Sequence, residues 1–299
     1  MRLNPDKFKE LKGRMLFKAA MKRYTTMRVG GIATALYEPQ STSDLVDFLK
    51  LALRNRTSIF VIGNGSNIIV SDKVIKRVAV RLASPHFKKV TMSGKCVICG
   101  AGLLLNNLCR FTETNSLSGC EFLIGIPGTV GGAIIQNAGA HNSTISDIVK
   151  HIRCVDQKGD IKILTPKEAN FKYRGSGLKD MIIIEATLNL KKAKNVDIGK
   201  KISRYIEKRL ISQDYSAPSA GCIFKNPQES DLTAAQLIDR CGLKGEKIGG
   251  ASISRKHANF IINNKAATTE DILRLIALVK RRVKKKFDIS LWEEVEIIR

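Results

Sequence analysis

The stretch from Cys120 to His141, CEFLIGIPGTVGGAIIQNAGAH, limits what this chain can build more than any other segment does. It sets five glycines among small apolar residues, with no lysine or arginine and one acidic residue, Glu121. A buried strand does not carry so many glycines unless another surface must approach its backbone. With no basic side chain present, backbone amides would have to hold any anion brought against it. The segment therefore reads as a wall for a phosphate group or a flat ring system, or as a glycine-rich loop packed against a neighbouring domain.

The rest of the chain is strongly basic. Its 299 residues include 51 lysines and arginines against 27 acidic residues, a net charge of +24 at pH 7. Such a balance favours nucleic acid, anionic membrane or anionic substrates. The placement of the charge argues for a solvated surface. In TTEDILRLIALVKRRVKKKF, the residues Ile272, Leu275, Ile276, Val279, Val283 and Phe287 predict one apolar helical stripe. Lys280, Arg281, Arg282, Lys284, Lys285 and Lys286 fall off that stripe, toward the helix C-terminus that favours cations. Aromatics are few and not interleaved with the basic residues, so no nucleic-acid partner is expected.

Seven cysteines make an odd number. Cys96 and Cys99 have CxxC spacing, but KVTMSGKCVICGAG reads as strand, turn, strand, and residues three apart on a strand face opposite ways. No second pair has zinc spacing, so reduced structural cysteines and no metal are expected. The N-terminus lacks the apolar core of a signal peptide, and no run of 18 apolar residues exists to span a membrane. These features predict a cytoplasmic protein.

Three segments are expected. Residues 1–85 form a small α+β module: a basic helical lead over the first thirty residues, a strand ending at Pro39, and a helix over STSDLVDFLKLALRN capped by Ser41 or Thr42, with Leu45, Phe48, Leu49 and Ala52 inward. TSIFVIGNGSNIIVSD then reads as strand, glycine turn, strand. Residues 86–200 hold the hairpin around Cys96, a helix from about Leu104 to Thr114, the glycine stretch, a hairpin turning at Lys158-Gly159, and a strand alternating Ile182, Ile184, Ala186, Leu188 and Leu190. Residues 201–299 begin with a helix, then place helices near 231–241 and 269–287 on either side of a strand over ASISRKHANFIINN.

VIGNGSN sets Gly63, Asn64, Gly65, Ser66 and Asn67 directly after a β run. Glycine permits positive φ, so successive amides can point into one concavity and hold phosphate. The pattern is not GxGxxG, and no long helix follows, which argues against a Rossmann site. A phosphate loop and a simple hairpin turn both remain open at this point.

GIPGTVGGAIIQNAGA and IGNGSN together resemble the UDP-N-acetylenolpyruvoylglucosamine reductase (MurB) family, in its shorter form. TTMRVGG (Thr25–Gly31), YRGS (Tyr173–Ser176), SAGCIFKNP (Ser219–Pro227), AAQLIDRCGLKGEKIGG (Ala234–Gly250), KHANFIIN (Lys256–Asn263) and the terminal EEVEII follow in the family's order. The resemblance implies an α+β chain with an FAD-binding fold of the vanillyl-alcohol-oxidase (PCMH) type. Segments 1–85 and 86–200 would be its FAD-binding subdomains, and 201–299 a C-terminal α+β substrate domain. It further implies a flavoenzyme of peptidoglycan precursor synthesis, acting as a monomer on a UDP-sugar with NADPH as hydride donor.

In that family NADPH reduces FAD, and hydride then passes to C3 of the enolpyruvyl ether. By resemblance FAD would lie against Gly63, Asn64, Gly65, Ser66 and Asn67, and against Gly125, Pro127, Gly128, Thr129, Gly131, Gly132, Asn137, Ala138 and Gly139. Arg174 would hold the substrate carboxylate and developing enolate, and Glu294 would act at the same carbon. Cys222 would donate the proton at C2, where the family usually has serine. Tyr173, Lys225, Asn226 and Asn259 would touch substrate. An oxidase of the same fold with another substrate is the rival reading; a basic nucleic-acid binder rests on charge alone.

Overall fold

Where apolar residues recur three and four apart, the chain is helical. In α1 (Thr42–Arg54) Leu45, Phe48, Leu49 and Ala52 are buried, and the Ser41 hydroxyl caps the first turn by accepting from the Asp44 amide. α2 (Leu105–Thr114), α3 (Val130–Ile135) and α4 (Asn195–Ser212) follow, then α5 (Ala234–Arg240) and α6 (Thr269–Phe287). The computed structural model describes residues 8–299, which form two units with separate apolar cores.

The first unit comprises the described residues up to Ala19, with Thr34–Asn64 and Lys76–Glu207. A four-stranded sheet runs in the order Arg14–Ala20, Ile32–Glu38, Ile75–Val80, Ile59–Val61, the last two parallel. A five-stranded antiparallel sheet runs Ile161–Leu164, Val149–Val155, Ile182–Asn189, Cys96–Gly100, Val90–Ser93. Its hairpins turn at Gly159 and Gly94, both at positive φ, as the sequence predicts. One core joins both sheets with α1, α2 and α3.

The second unit gathers Ala20–Ala33, Gly65–Ile75 and Lys208–Arg299. Its four-stranded sheet runs Ser219–Cys222, Phe260–Asn263, Ala251–Ile253, Lys247–Ile248. The strands Ile68–Val70 and Glu296–Ile298 pair in parallel. The expected stripe of α6 is buried at Ile272, Leu275, Ile276, Val279 and Val283, and its helix opens with a capping box between Thr268 and Asp271. Residues 20–33 and 65–75 are built into this unit by hydrogen bonds. Thr26 Oγ1 donates to Ser219 O at 2.7 Å, Asn263 Nδ2 to Met27 O at 3.0 Å, and Thr269 Oγ1 to Val70 O at 2.6 Å.

Four expectations change. The basic lead is not one helix: Arg14–Ala20 is a strand beside Ile32–Glu38, with Arg14 paired to Glu38 at 2.9 Å, and Met21–Arg23 makes a short 3-10 turn. Sheet pairing overrides local helix propensity there; residues 1–7 of that lead lie outside the described residues. The strands on either side of IGNGSN do not form a hairpin, because Ile59–Val61 pairs with Ile75–Val80 and Ile68–Val70 with Glu296–Ile298. ASISRKHANFIINN is two antiparallel strands rather than one, since its Ser254–Asn259 segment turns the chain back. The glycine stretch is not all loop, because Thr129 caps α3 within it by accepting from the Gly132 amide at 3.4 Å.

Candidate active site

The two glycine-rich segments meet in the first unit. A Cβ on Gly63 would stand 2.7 Å from Thr129 Oγ1, so only a glycine lets the loop after Ile59–Val61 lie against the start of α3. Their amides divide into two classes. Val130 and Gly131 donate to Leu103 O and Ala101 O at 2.9 Å each, Gly125 to Asn106 Oδ1 at 2.8 Å, and Gly132 to Thr129 Oγ1. Those amides are spent on the protein. The amides of Gly63, Asn64, Gly65, Gly128 and Thr129 have no protein acceptor among the described residues. Uncommitted N–H groups on Gly63 and Asn64, with Gly63 lying against Thr129 and no carboxylate among these residues, suit a phosphate anion. Gly131 is required by packing, because its Cβ would stand 3.0 Å from that of Ala101.

Arg174 is fixed against the far end of the same stretch. Lys172 and Gly175 form a tight antiparallel bridge, which throws Arg174 into the left-handed region at φ 52. Asn137 Nδ2 donates to Lys172 O at 3.1 Å, and Ser176 Oγ to Ile135 O at 3.0 Å, stapling this turn to the chain after α3. A Cβ on Gly139 would stand 2.8 Å from Ser143 O and from Thr144 Cγ2, so the turn between residues 139 and 144 needs a glycine there, and Arg174 Nη1 lies alongside. Asn137 is buried and its Oδ1 accepts from the Ser146 amide, so its side chain is a staple. Ala138 donates to Ala133 O at 2.8 Å. Pro127 and Tyr173 are exposed beside these segments.

The second unit brings Cys222 and Glu294 together. Segment 223–225 runs against 292–294: Glu294 N donates to Ile223 O at 2.8 Å, and Lys225 N to Trp292 O at 2.9 Å. Cys222 ends its strand opposite Phe260, half-buried, just after Gly221 at φ 76. Asn67 Nδ2 donates to Glu294 O at 3.1 Å, and Asn67 O accepts from Glu296 N at 2.9 Å. Asn67 is thus a latch on the Glu294 strand, in addition to its expected place in the NGSN loop. Asn226 accepts from the Ala234 amide at the start of α5. Asn259, at 3% exposure, gives one acceptor and one donor of its amide to the Phe224 backbone, which favours a structural role over the expected substrate contact. Ser66 and Lys225 are half-buried.

Four other thiols, Cys99, Cys109, Cys120 and Cys154, are set apart by burial, while Cys96 and Cys241 are half-buried like Cys222. Burial pushes Cys99 and Cys109 up to about 12, and Cys120 well above the usual thiol range. Thr26 was missed as a site-building residue in sequence. Its hydroxyl reaches Ser219 O, and its amide donates to Gly65 O at 3.0 Å, which ties the NGSN loop to the strand that ends at Cys222. The only hint in sequence was its place in TTMRVGG.

Comparison with known proteins matches these features to two family models. Residues 33–165 match one described as an FAD binding domain; residues 213–298 match one described as the UDP-N-acetylenolpyruvoylglucosamine reductase C-terminal domain. A UDP-N-acetylenolpyruvoylglucosamine reductase of Caldanaerobacter subterraneus subsp. tengcongensis is 38% identical over 98% of this chain and 97% of its own. That of Clostridium perfringens is 39% identical over 93% of this chain and 91% of its own. The crystal structure of the Thermus caldophilus enzyme superposes with a TM-score of 0.82 at 32% identity, covering 96% of this chain and 99% of its own.

Proposed function

Because the chain belongs to the UDP-N-acetylenolpyruvoylglucosamine reductase family, we propose that it reduces UDP-N-acetylenolpyruvoylglucosamine to UDP-N-acetylmuramate with NADPH, in the cytoplasm, for peptidoglycan precursor synthesis. The chain is an FAD-dependent oxidoreductase of α+β fold with a PCMH-type FAD-binding region. Among the described residues no helix is long and apolar enough to cross a membrane. It works as a monomer, with its FAD-binding region serving the cofactor and its C-terminal domain serving substrate. The excess of positive charge suits ligands that are all anionic.

The observation that best supports this reading is the pairing of segment 223–225 with 292–294, which sets Cys222 and Glu294 on neighbouring strands. Bound FAD supplies two-electron hydride chemistry. The uncommitted amides of Gly63, Asn64, Gly128 and Thr129 would hold its diphosphate, with Gly125, Pro127, Gly132, Ala138 and Gly139 beside them; Gly65, Ser66 and Asn67 are further candidate cofactor contacts. Hydride addition at the methylene carbon of the enolpyruvyl group leaves negative charge spread toward its carboxylate. Arg174 holds that carboxylate with a two-pronged guanidinium and stabilises the charge as it grows. The Cys222 thiol gives its proton to the carbon beside the carboxylate, so one hydride and one proton have been added across the double bond. A thiol donates more readily than a hydroxyl, its ordinary pKa being about 8.5. Glu294 stabilises the same carbon from the adjacent strand, while Tyr173, Lys225 and Asn226 bind the sugar nucleotide.

The test is a two-step absorbance experiment on the holoenzyme under anaerobic conditions. NADPH should bleach the flavin, and adding the enolpyruvyl sugar nucleotide should restore its colour with formation of the lactyl ether. A bleached flavin that ignores this substrate would overturn the reading.

A further inference from the structure

The strand that ends at Cys222 is irregular where the proposed chemistry needs it to be well placed. Ser219 faces Ile262 and Cys222 faces Phe260, so the Ser219–Cys222 strand carries one residue more than its partner, a bulge with Gly221 at φ 76. Beyond Cys222 the regular ladder stops. Ile223 N still reaches Asn259 O at 2.9 Å, but Asn259 lies in the turn before Phe260–Asn263. From there its side chain takes over. Phe224 N donates to Asn259 Oδ1 at 2.9 Å, and Asn259 Nδ2 donates to Phe224 O at 2.8 Å.

A side-chain amide offers one C=O and one N–H, the same pair that a neighbouring strand offers. Asn259 therefore acts as a missing strand residue on one edge of Phe224, while Trp292 and Glu294 bond the other edge of segment 223–225. At 3% exposure, water cannot substitute for either bond. Of the natural side chains, only the amides of Asn and Gln present both groups in the neutral state, and Gln is one methylene longer.

We propose that Asn259 is a positioning residue for the proton-donating half of the reaction: its two bonds to Phe224 hold the backbone that carries Cys222 and faces Glu294. The inference rests on the reading of Cys222 and Glu294 given above. It assigns Asn259 no contact with substrate or cofactor.

Asn259→Asp tests this, because aspartate keeps the shape and the acceptor but, when ionised, cannot donate to Phe224 O. Beside a carbonyl oxygen and out of water its carboxyl favours the protonated form, which restores the donor. Reduction of the flavin by NADPH should proceed at the parent rate. Reoxidation by the enolpyruvyl substrate should be slower by about 100-fold above neutrality, the scale expected when a reacting group is displaced by an ångström. The rate should recover as the pH falls. The bonded segments also carry the ionisable groups Cys222, Lys225, His257, Glu293 and Glu294, so each point is taken as a ratio to the parent.

Alkylation of Cys222 by iodoacetamide, read by peptide mass mapping as the same ratio, should depart from one in the same pH window. Equal slowing of both half-reactions, or an alkylation ratio of one at every pH, would overturn the proposal. Hydrogen exchange on the unaltered holoenzyme needs no variant to fold: the Phe224 amide should be protected as strongly as Ile261, and fast exchange there overturns the clamp. Should Cys222→Ala reoxidise like the parent, the donor assignment fails, yet alkylation and exchange still decide whether Asn259 holds this backbone.

Discussion

Around Thr129 the first unit leaves amides without a protein acceptor, whereas around Phe224 the second unit matches backbone groups one by one, Phe224 to Asn259 and Ile223 to Glu294. The first arrangement depends on what is absent. Gly63 and Gly139 keep clear the space that side chains would fill. The second depends on what is present, since asparagines substitute for strands. Spare amides in a row suit an extended anionic group whose charge is spread over several atoms. A matched backbone suits a few side chains that must each stand at one place. Changes in the first unit should therefore remove cofactor, and changes in the second should remove chemistry while cofactor stays.

The sharpest break of that contrast is Cys222→Ala. It should retain bound FAD and accept hydride from NADPH, yet reoxidise with substrate more slowly by about 10²–10⁴-fold, roughly 3–5 kcal/mol of barrier. Cys222→Ser should recover much of the loss. Stopped-flow traces of the two half-reactions decide it, and an alanine variant as fast as the parent would make Cys222 a packing residue.

Arg174→Lys comes next, with a fall in substrate-driven reoxidation of about 10²-fold. Lysine keeps the charge and bears the same left-handed backbone at φ 52, so folding should be spared. Equal loss in both half-reactions would place Arg174 in the scaffold of the first unit instead.

Gly63→Ala and Gly131→Ala sharpen the comparison within the first unit. Each introduces a tight contact, at 2.7 Å from Thr129 Oγ1 and 3.0 Å from the Ala101 Cβ. Each should cost about 1–3 kcal/mol of stability. Only Gly63→Ala should also lose flavin, because Gly131 already donates its amide to Ala101 O. Flavin content after gel filtration, set beside the melting temperature, separates the two. Equal flavin loss in both would mean that the recess extends past Thr129.

The smallest effect belongs to His257 in the second unit. Burial lowers its pKa, Lys244 adds to the shift and Asp214 opposes it. The unfolded chain takes up this proton near its ordinary pKa of about 6.5, while the folded unit resists until lower pH. Its contribution is therefore neutral above that range, and stability falls as pH drops through it. Melting temperatures from neutral to mildly acidic pH should fall less for His257→Gln than for the parent; identical slopes would assign the acid sensitivity elsewhere.

Much of the fold was legible because it follows short-range rules. The stripes of α1 and α6, the turns at Gly94 and Gly159, and the alternation over Ile182–Leu188 are local patterns with local causes. The basic lead misled because nothing within Arg14–Ala20 announces that Ile32–Glu38 lies ready to pair with it. Asn67, Asn137 and Asn259 were legible as polar residues in quoted motifs and illegible in role. An asparagine that binds a ligand and one that binds a backbone carbonyl are the same letter.

By itself the sequence determined the stripes of α1 and α6, the turns at Gly94 and Gly159, that the charge lies off the apolar stripes, and which motifs stand in the reductase family's order. Tertiary structure alone decided that Gly63 abuts Thr129, that residues 20–33 and 65–75 join the C-terminal unit, and that Glu294 bonds beside Cys222. These pairings join residues far apart in sequence, and local propensity carries no information about them. They are set by which buried backbone groups find partners once the two cores have formed, since an unpaired buried amide or carbonyl costs about as much as a lost hydrogen bond.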